Sequence, residues 1–559
     1  MSDELKHECA VAMVVLRRPP SATGDFGGTK LSLLLEKQHN RGQDGAGAAI
    51  LSSHPESGYM PYWVFKSSSS TALADLLGAI GKRHEQSAIP LFDAGSSERI
   101  FLGHLRYATF GKNEVAFCHP FVHQASELAH TVLLAGNFNL TNAAELFEDY
   151  RKHGAFATSK SDGYLLCELI ARELGRAPLA TALANALADA DGAWTLCGMT
   201  GDGWAFATRD PHGIRPGFYY VDDDVAVVAS ERPAIQAAFD IPPESVKELP
   251  PGSALVISPE GEVLMSELSS DIGKTPRPCA FERIYFSRAN DADIHRERKA
   301  LGAALLPQIL QATDAPLEDI FFSYIPNSAR IAFHGLLERL FDEHGKIRFG
   351  EVAVKDAKFR TFIADAAARR EFYKHVYDVT YGLVRPGLDT LVVLDDSIVR
   401  GNTMKNAILP MLDRLGPKRI IVASSAPPIR YPDCYGIDMS TLDELVAFKA
   451  LVNLLGETAE SELRTALGRR ASCPLNPLAP LYARFSEEQH IAEIARLLTP
   501  PGMKAEVRVV YQTVDALHAA CPGSSGDWYF TGDYPTPGGY KVLHQALLNY
   551  LDHKGGRSY

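Results

Sequence analysis

Residues 391–403 read Leu-Val-Val-Leu-Asp-Asp-Ser-Ile-Val-Arg-Gly-Asn-Thr, and this pattern indicates how the second half of the chain folds. The apolar run 391–394 has the length of a buried strand, and the adjacent carboxylates of Asp395 and Asp396 follow it directly. A turn with Gly401 then leads into a helical pattern that begins at Met404. Parallel sheets bind ligands at the carboxyl ends of their strands, and a helix N-terminus attracts anions. The pattern therefore predicts a site for a ribose phosphate.

The segments around this stretch alternate between helix and strand patterns, which favours an α/β fold with a parallel sheet. The predicted elements are a helix over 295–313 and strands over 319–325, 391–394 and 419–423. Beyond residue 486 the sequence predicts a helix over 487–498, a strand over 507–511 and a Gly/Pro-rich end.

The first 270 residues contain short strand patterns, frequent turns and interleaved helices. The predicted strands are 10–16, 99–103, 129–135, 194–200 and 225–229, and the predicted helices are 29–38, 163–174 and 179–188. The stretch 52–98 has the composition of an irregular insertion, and 266–278 that of a linker. We therefore expect a leader at 1–8, a first domain at 9–270, a second at 279–485 and a C-terminal helical or irregular extension at 486–559.

Composition excludes several classes of protein. The chain has 56 Lys and Arg against 68 Asp and Glu, a net charge of −12, with 46% hydrophobic residues. It is too apolar for a disordered protein and too acidic for a typical nucleic-acid-binding surface. No apolar run approaches the ~20 residues of a membrane span, and the N-terminus lacks the basic segment of a signal peptide. The eight cysteines contain no C-x-x-C pair, which favours a reduced, cytoplasmic location.

The 391–403 stretch closely resembles the signature of type I phosphoribosyltransferases, which bind 5-phosphoribosyl-1-pyrophosphate (PRPP) with Mg²⁺. The resemblance implies that Asp395 and Asp396 hold the ribose and the metal ion. It also implies a phosphate loop formed by Ser397, Ile398, Val399, Arg400, Gly401, Asn402 and Thr403. Asn402 stands where relatives usually have Thr.

Two further segments fit the same family. Residues 325–330 resemble its loop near the pyrophosphate, which places Asn327 and Ser328 there, although relatives usually have Asp at position 327. Residues 360–363 resemble the motif before its mobile loop, whose cation would be Lys374. Loop closure keeps water away from the reactive carbon of PRPP.

Five short motifs in the first half resemble class II glutamine amidotransferases of the N-terminal-nucleophile type, whose fold is an αββα sandwich. They lie at residues 8–10, 38–47, 103–109, 136–142 and 161–162. The resemblance implies that Cys9 attacks the glutamine amide while its own α-amine acts as the base. Removal of residues 1–8 is expected, because Cys9 must become the N-terminal residue.

The same resemblance assigns the residues that surround the nucleophile. Asn137 and the backbone N–H of Phe138 would form the oxyanion hole, Arg106 would pair with the carboxylate of glutamine, and Asp162 with its ammonium group. Relatives usually have Gly where this chain has Phe138, but the backbone donor survives that change.

The two motif sets, in this order, resemble the glutamine PRPP amidotransferases, and the resemblance covers residues 8 to about 445. It implies that glutamine, PRPP and water give 5-phosphoribosylamine, glutamate and pyrophosphate, the first step of purine synthesis, with ammonia passed between two sites. A homo-oligomer and inhibition by purine nucleotides are also implied. Some relatives carry a four-iron cluster, but the corresponding positions are Cys279, Asp433, Gly526 and Tyr529, so no iron–sulfur cluster is expected.

Two other interpretations remain open. A PRPP-sensing regulator that has lost catalysis would explain the departures at Phe138, Asn327 and Asn402. Other class II amidotransferases share the first half of the chain, but they lack the Asp395–Thr403 pattern.

Overall fold

The computed structural model describes residues 9–18, 26–52, 60–87, 98–107, 114–268, 275–355, 377–437, 439–468 and 476–556. The leader 1–8, the motif 360–363 and the predicted loop cation Lys374 lie outside these ranges.

The first half contains two antiparallel sheets that pack face to face. The first sheet has the strand order Lys247–Glu248, Phe218–Val221, Val225–Ala229, Ala10–Leu16, Glu98–Arg106, Gly45–Ser52 and Tyr62–Ser67. The second has the order Val263–Glu267, Ser253–Ile257, Ala205–Arg209, Gly192–Thr200, Val132–Leu140 and Phe121–His123. Alternate residues of both sheets, such as Val11 and Met13 from one and Ala135 and Cys197 from the other, form the apolar layer between them.

Helices cover the outer face of each sheet, which completes the αββα sandwich expected from the motifs. The helices on the first sheet are Phe26–Lys37, Ala72–Ser87 and Arg232–Phe239. Those on the second are Ala143–Lys152, Asp162–Leu174 and Leu179–Leu187. Short 3₁₀ turns lie at Val115–Phe117, Leu128–His130 and Pro243–Ser245.

The second half contains a five-stranded parallel sheet. Its strand order is Arg348–Phe349, Ile320–Tyr324, Thr390–Asp395, Arg419–Ser424 and Glu506–Tyr511, with a separate antiparallel pair formed by Ala353–Lys355 and Tyr377–Val379. The strands are apolar on both faces because helices cover both of them. The longer helices are Ala292–Ala304, Leu306–Thr313, Arg330–His344, Val446–Leu455, Ala459–Gly468, Glu487–Leu498, Val514–Ala520 and Pro537–Leu551. The shorter helical segments are Glu282–Phe286, Leu317–Asp319, Met404–Ile408, Leu409–Asp413, Leu442–Glu444, Gly456–Thr458, Ala479–Tyr482 and Trp528–Thr531.

Several local predictions differ from the structure. The helix expected over 295–313 is two helices that meet at Leu305, because Pro307 has no backbone N–H to continue the first one. The strand expected over 129–135 begins only at Val132, since residues 128–130 form a 3₁₀ turn. The stretch expected to be irregular between 52 and 98 contains the edge strand Tyr62–Ser67 and the helix Ala72–Ser87.

The C-terminal part is integrated into the second half of the molecule. The strand Glu506–Tyr511 pairs in parallel with Arg419–Ser424, so the sheet continues across the expected boundary at residue 485. Within the extension that was expected to be helical or irregular, the Gly/Pro-rich end of the sequence forms the 15-residue helix Pro537–Leu551. No helix within the described ranges is long and apolar enough to cross a membrane.

Candidate active sites

The first candidate site lies around Cys9, directly before the strand Ala10–Leu16. The backbone N–H of Tyr107 donates a hydrogen bond to Cys9 Sγ at 3.3 Å. Burial raises the pKa of the Cys9 thiol to about 11, although the Tyr107 backbone and the positive charge of Arg106 act to lower it. The negative charges of Asp162 and Asp44 raise it further. The thiol is therefore protonated at neutral pH and needs a base before it can attack.

The predicted glutamine ligands converge on this thiol from separate elements. Arg106 is the last residue of the strand Glu98–Arg106 and is buried, while its carbonyl accepts the backbone N–H of Asp44 at 3.0 Å. Asp162 is the first residue of the helix Asp162–Leu174, where a carboxylate is favoured by the helix dipole. Both charges act on the Cys9 thiol, so a cation and an anion lie near one candidate nucleophile.

The predicted oxyanion donors lie on the neighbouring sheet. Asn137 and Phe138 belong to the strand Val132–Leu140, with Asn137 buried and Phe138 half-buried. The preceding residue, Gly136, is tied to the Arg106 strand because its carbonyl accepts a hydrogen bond from His104 Nε2 at 3.1 Å. The ring of Phe138 lies so close to Gly163 that a Cβ at position 163 would come within 2.7 Å of it. The oxyanion strand therefore contacts the elements that carry both glutamine ligands.

The second candidate site lies at the carboxyl end of the central parallel strand, Thr390–Asp395. Asp396 is buried, and its carboxylate accepts hydrogen bonds from the hydroxyls of Ser328 and Ser397, the latter at 2.9 Å. Burial raises the pKa of Asp396, while these hydroxyls and the positive charge of Arg298 act in the opposite direction. Asp395 is half-buried and accepts the backbone N–H of Asp396 at 3.0 Å.

The predicted phosphate loop is a tight turn that opens into a helix. Gly401 has a φ of +76°, a conformation that favours glycine. Asn402 and Thr403 begin the helical segment, so their N–H groups lie at its N-terminal end. The backbone N–H groups of Asn402 and Thr403 are therefore placed as an anion site would require.

Three side chains of this loop make contacts within the protein itself. Ile398 and Val399 are buried in the apolar cores on either side. The guanidinium of Arg400 forms an ion pair with Glu444, with an N–O distance of 2.6 Å. These three residues can contribute only backbone groups in this conformation.

The strand beside Thr390–Asp395 brings the predicted pyrophosphate loop to the same edge. Asn327 and Ser328 follow the strand Ile320–Tyr324, which pairs in parallel with Thr390–Asp395. Ser328 reaches Asp396 through its hydroxyl, whereas Asn327 is exposed. The two predicted segments therefore form one site.

The sequence patterns did not identify several residues that hold this site in place. Ser425 donates its backbone N–H to the Asp395 carbonyl at 2.9 Å and its hydroxyl to the Asp396 carbonyl at 3.1 Å. Arg298 lies in the helix Ala292–Ala304, and its charge acts on Asp396. Nothing in the local sequence distinguishes Arg298 from an ordinary helical arginine, because its partner lies 98 residues further along the chain.

The donor set of the second site fits Mg²⁺. The carboxylates of Asp395 and Asp396 supply the oxygen ligands that this ion prefers. Within the described ranges, no group of three or more His, Cys, Asp or Glu side chains could hold a metal ion. Mg²⁺ is usually bound through one or two carboxylates together with substrate phosphates, so this pair is sufficient on the protein side.

The residues at the positions of the family's iron–sulfur ligands do meet in space, but their chemistry does not fit a cluster. Cys279 forms a backbone bridge with Gly526, and its Sγ lies 2.8 Å from the hydroxyl of Tyr529. Asp433 accepts a hydrogen bond from Trp528 Nε1 at 2.9 Å. One thiol stands where four thiolates are required. Burial raises the pKa of that thiol to about 12, so it is protonated.

Comparisons with known proteins show which family this chain resembles. The family model described as a glutamine amidotransferase domain matches residues 119–237. The amidophosphoribosyltransferase of Bacillus subtilis is 33% identical over 62% of this chain and 69% of its own length. That of Pseudomonas aeruginosa is 31% identical over 73% and 78%.

A solved structure agrees over nearly the whole chain. The glutamine PRPP amidotransferase from B. subtilis, complexed with ADP and GMP, superposes with a TM-score of 0.67 and 26% identity, covering 94% of this chain and 97% of its own. The chain belongs to the amidophosphoribosyltransferase family.

Proposed function

We propose that the chain carries out the reaction of its family at these two sites, converting glutamine, PRPP and water to 5-phosphoribosylamine, glutamate and pyrophosphate. This proposal is carried by the presence of two sites in one chain. The first is the Cys9 thiol, on which the charges of Arg106 and Asp162 act. The second is the pair of carboxylates and the predicted phosphate loop at the end of the strand Thr390–Asp395. Other class II amidotransferases would not need the second site.

In the first half-reaction, Cys9 attacks the side-chain amide of glutamine. Its thiol is protonated, so the α-amine of the same residue takes the proton once residues 1–8 have been removed. The side-chain amide of Asn137 and the N–H of Phe138 stabilise the oxyanion, each such donor contributing about 3 kcal/mol. Arg106 and Asp162 hold the carboxylate and the ammonium group of the substrate. The protonated α-amine then gives its proton to the amide nitrogen, so the C–N bond breaks, ammonia leaves and a thioester remains. Water releases glutamate from the thioester.

In the second half-reaction, ammonia displaces pyrophosphate from PRPP. Asp395 and Asp396 accept hydrogen bonds from the ribose hydroxyls, and the backbone of 397–403 binds the 5′-phosphate. Asn327 and Ser328 lie on the pyrophosphate side, and Lys374 is proposed as the cation of the mobile loop. When bound, Mg²⁺ would neutralise charge on the leaving pyrophosphate.

A closed passage for ammonia between the two sites is part of the proposal. Ammonia in bulk water at neutral pH is mostly protonated to ammonium, which is not a nucleophile. The ammonia released from glutamine therefore has to be kept away from solvent. The alternative of an inactive PRPP-binding regulator is not favoured by any observation: Phe138 keeps its backbone donor, and Asn402 still lies at the start of a helix.

The remaining properties are proposed by resemblance. A homo-oligomer is expected from the family. Inhibition by purine nucleotides is supported by the ADP and GMP bound to the B. subtilis relative. A cytoplasmic location is supported by the sparse, unpaired cysteine pattern, since seven described cysteines form no disulfide.

The test is to measure glutamate, pyrophosphate and phosphoribosylamine from purified protein whose N-terminus has been sequenced. Cys9→Ala should abolish glutamine-dependent synthesis but keep synthesis from high ammonia, whereas the control Cys521→Ala should keep both. Asp396→Asn should lose synthesis from either nitrogen source. A protein with Cys9 at its N-terminus that releases neither glutamate nor pyrophosphate would contradict the proposal.

A further inference from the structure

Two histidine rings lie buried beside the strand Val132–Leu140, and the half-reactions above use neither of them. His104 is fully buried and His119 is 8% exposed. Their ring centroids are 3.9 Å apart and the rings are nearly parallel. His104 belongs to the strand Glu98–Arg106, two residues before the glutamine ligand Arg106. The pair therefore lies where the strand Glu98–Arg106, which carries Arg106, approaches the strand Val132–Leu140, which carries Asn137 and Phe138.

Both rings are hydrogen-bonded to the backbone of Gly136. His104 Nε2 donates to the Gly136 carbonyl at 3.1 Å, and the Gly136 N–H donates to His119 Nδ1 at 3.2 Å. That carbonyl belongs to the peptide bond that leads into Asn137. The two histidines thus hold the backbone on both sides of the residue that precedes the oxyanion donors.

These bonds define the protonation of each ring. A carbonyl only accepts, so His104 carries its proton on Nε2, and an amide only donates, so His119 Nδ1 has none. Burial lowers the pKa of His104 to about 3 and that of His119 well below its ordinary value, so both rings are neutral. Both neutral rings are therefore the Nε2–H tautomer, and they serve one backbone segment in complementary ways: His104 donates through Nε2, and His119 accepts through Nδ1.

The surrounding packing leaves little freedom at this segment. A Cβ at position 136 would lie 2.7 Å from the Thr195 carbonyl, so the strand needs glycine there. The ring of Phe138 stacks on His119 with centroids 5.3 Å apart and planes within 22°. Phe138 is the oxyanion residue that departs from the family pattern, and its side chain is accommodated by this stack.

We propose that His104 and His119 are positioning residues that fix the Gly136 backbone and thereby direct the Asn137 amide and the Phe138 N–H at the substrate carbonyl. This inference rests on the proposed glutaminase reaction and adds two residues to it. Neither histidine acts as a base, since the hydrogen bonds of the Cys9 thiol are made with the Tyr107 backbone. Displacement of reacting groups by about 1 Å can reduce a rate about 100-fold, so a small tilt of this strand has a large effect.

Substitution by Asn and by Gln at each position tests these hydrogen bonds, because each amide can replace one ring nitrogen but not the other. We call a substitution matched where the amide replaces the bonded nitrogen and mismatched where it does not, and the comparison of the two is the crossed test. The Oδ1 of Asn can replace an Nδ1 acceptor, and the Nε2 of Gln can replace an Nε2 donor. His119→Asn and His104→Gln should therefore retain the bonds to Gly136, whereas His119→Gln and His104→Asn should lose them. The exposed His153→Gln provides the control.

We expect the two mismatched variants to lose about 10-fold to 100-fold in kcat for glutamine hydrolysis, with KM within about twofold of the parent. The two matched variants should stay within about threefold. Synthesis from ammonia should be unchanged in all four, because it takes place at the other site. Alkylation of Cys9 by iodoacetamide should also be unchanged, since that reaction builds no oxyanion.

The crossed pattern makes the inference falsifiable at several points. Equal kcat in matched and mismatched variants, a change confined to KM, or a parallel loss of the ammonia-dependent activity would each overturn it. In the last case the rings would be needed for the fold itself. If the parent protein with Cys9 at its N-terminus releases no glutamate, it is the proposed function that fails. An active parent without the crossed pattern rejects only the positioning role.

Discussion

The protonation of Cys9 explains why an N-terminal amine matters in this site. Burial holds the thiol pKa at about 11, above that of a free cysteine, even with Arg106 nearby. The His104 and His119 rings are occupied by the Gly136 backbone. The α-amine of Cys9, with a reference pKa of about 7.7–8.0, is then the base with a suitable proton affinity.

Blocking that amine should separate the two half-reactions. A chain that begins at Cys9 is expected to hydrolyse glutamine, whereas one with a single alanine before Cys9 should lose this activity by at least about 100-fold, a general base commonly contributing 10²–10⁴-fold. Both chains should synthesise phosphoribosylamine from ammonia at the same rate. Equal glutamate release by the two chains would show that another group acts as the base.

The buried histidines should also make stability depend on pH. The pKa of His104 is about 3 in the folded protein, against about 6.5 in the unfolded chain, so only the unfolded chain gains a proton as the pH falls below 6.5. Folding stability should therefore decrease with acidification, by about 1.4 kcal/mol per pH unit for this residue.

His104→Gln removes that dependence. We therefore expect the melting temperature of the variant, relative to that of the parent, to be higher at pH 5 than at pH 7.5. We expect the parent to be the more stable protein at pH 7.5, since glutamine can keep the hydrogen bond to Gly136 but loses the ring stacking on His119. A difference that is the same at both pH values would contradict the assignment of a neutral buried ring.

The phosphate loop depends on one backbone conformation. At Gly401, with φ at +76°, a Cβ would lie 2.3 Å from Leu498 Cδ2 at the end of the helix Glu487–Leu498. Gly401→Ala therefore combines backbone strain of about 1–2 kcal/mol with a steric clash.

We expect Gly401→Ala to raise KM for PRPP at least about 10-fold, with glutamine and with ammonia alike, because the loop backbone would move. Gly78→Ala is the matched control: it lies in the helix Ala72–Ser87, and a Cβ there meets nothing within 4 Å. An unchanged KM for PRPP in the Gly401 variant would show that the loop does not bind the phosphate.

Regular elements with a strong local pattern were the most predictable part of the fold. The strand 10–16 and the helix 487–498 match their predicted bounds because apolar periodicity defines them locally. The strand Glu506–Tyr511 was predicted, but its place at the sheet edge was not, since its partner Arg419–Ser424 lies about 80 residues earlier. Long-range pairing leaves no local signal in a single sequence.

The difference between local patterns and long-range contacts also applies to the two candidate sites. Asp395, Asp396 and Cys9 stand in recognisable motifs, so sequence alone could propose them as site residues. The side chains that support them come from elsewhere: Ser425 from the next strand, Arg298 from a helix, and His119 from a segment outside the five motifs. Their roles follow from contacts made only in the folded chain.

The two halves of the molecule are joined by buried polar contacts on several sides. Asn139, two residues beyond the proposed oxyanion donor Asn137, donates its side-chain amide to the Cys434 carbonyl at 2.6 Å. Asp191 of the first half accepts the backbone N–H of Gly538 at 2.9 Å and so caps the C-terminal helix Pro537–Leu551. The strand Val132–Leu140 and the C-terminal helix Pro537–Leu551 therefore hold the two halves, and with them the two candidate sites, in place relative to each other.

The centre of this junction is an ion-pair network around Arg41. Its guanidinium is fully buried and bonds Glu231 of the first half and Glu282 of the second, both at 2.7 Å. Burial disfavours charge on Glu282, yet Arg41 keeps the pKa of Glu282 below its ordinary value, so the carboxylate stays ionised. One arginine thus pairs with a buried carboxylate from each half, and the positive charge of Arg215 also acts on Glu282.

Replacing Arg41 by Met should therefore be strongly destabilising, because two carboxylates would remain buried without their cation. The expected loss is about 3–5 kcal/mol. Arg151→Met, which removes an exposed pair with Glu148, should cost less than about 1 kcal/mol. Thermal and urea unfolding midpoints of both variants, measured under the same conditions as the parent, test the difference. Shifts of equal size would mean that the network contributes no more to the junction than a surface ion pair.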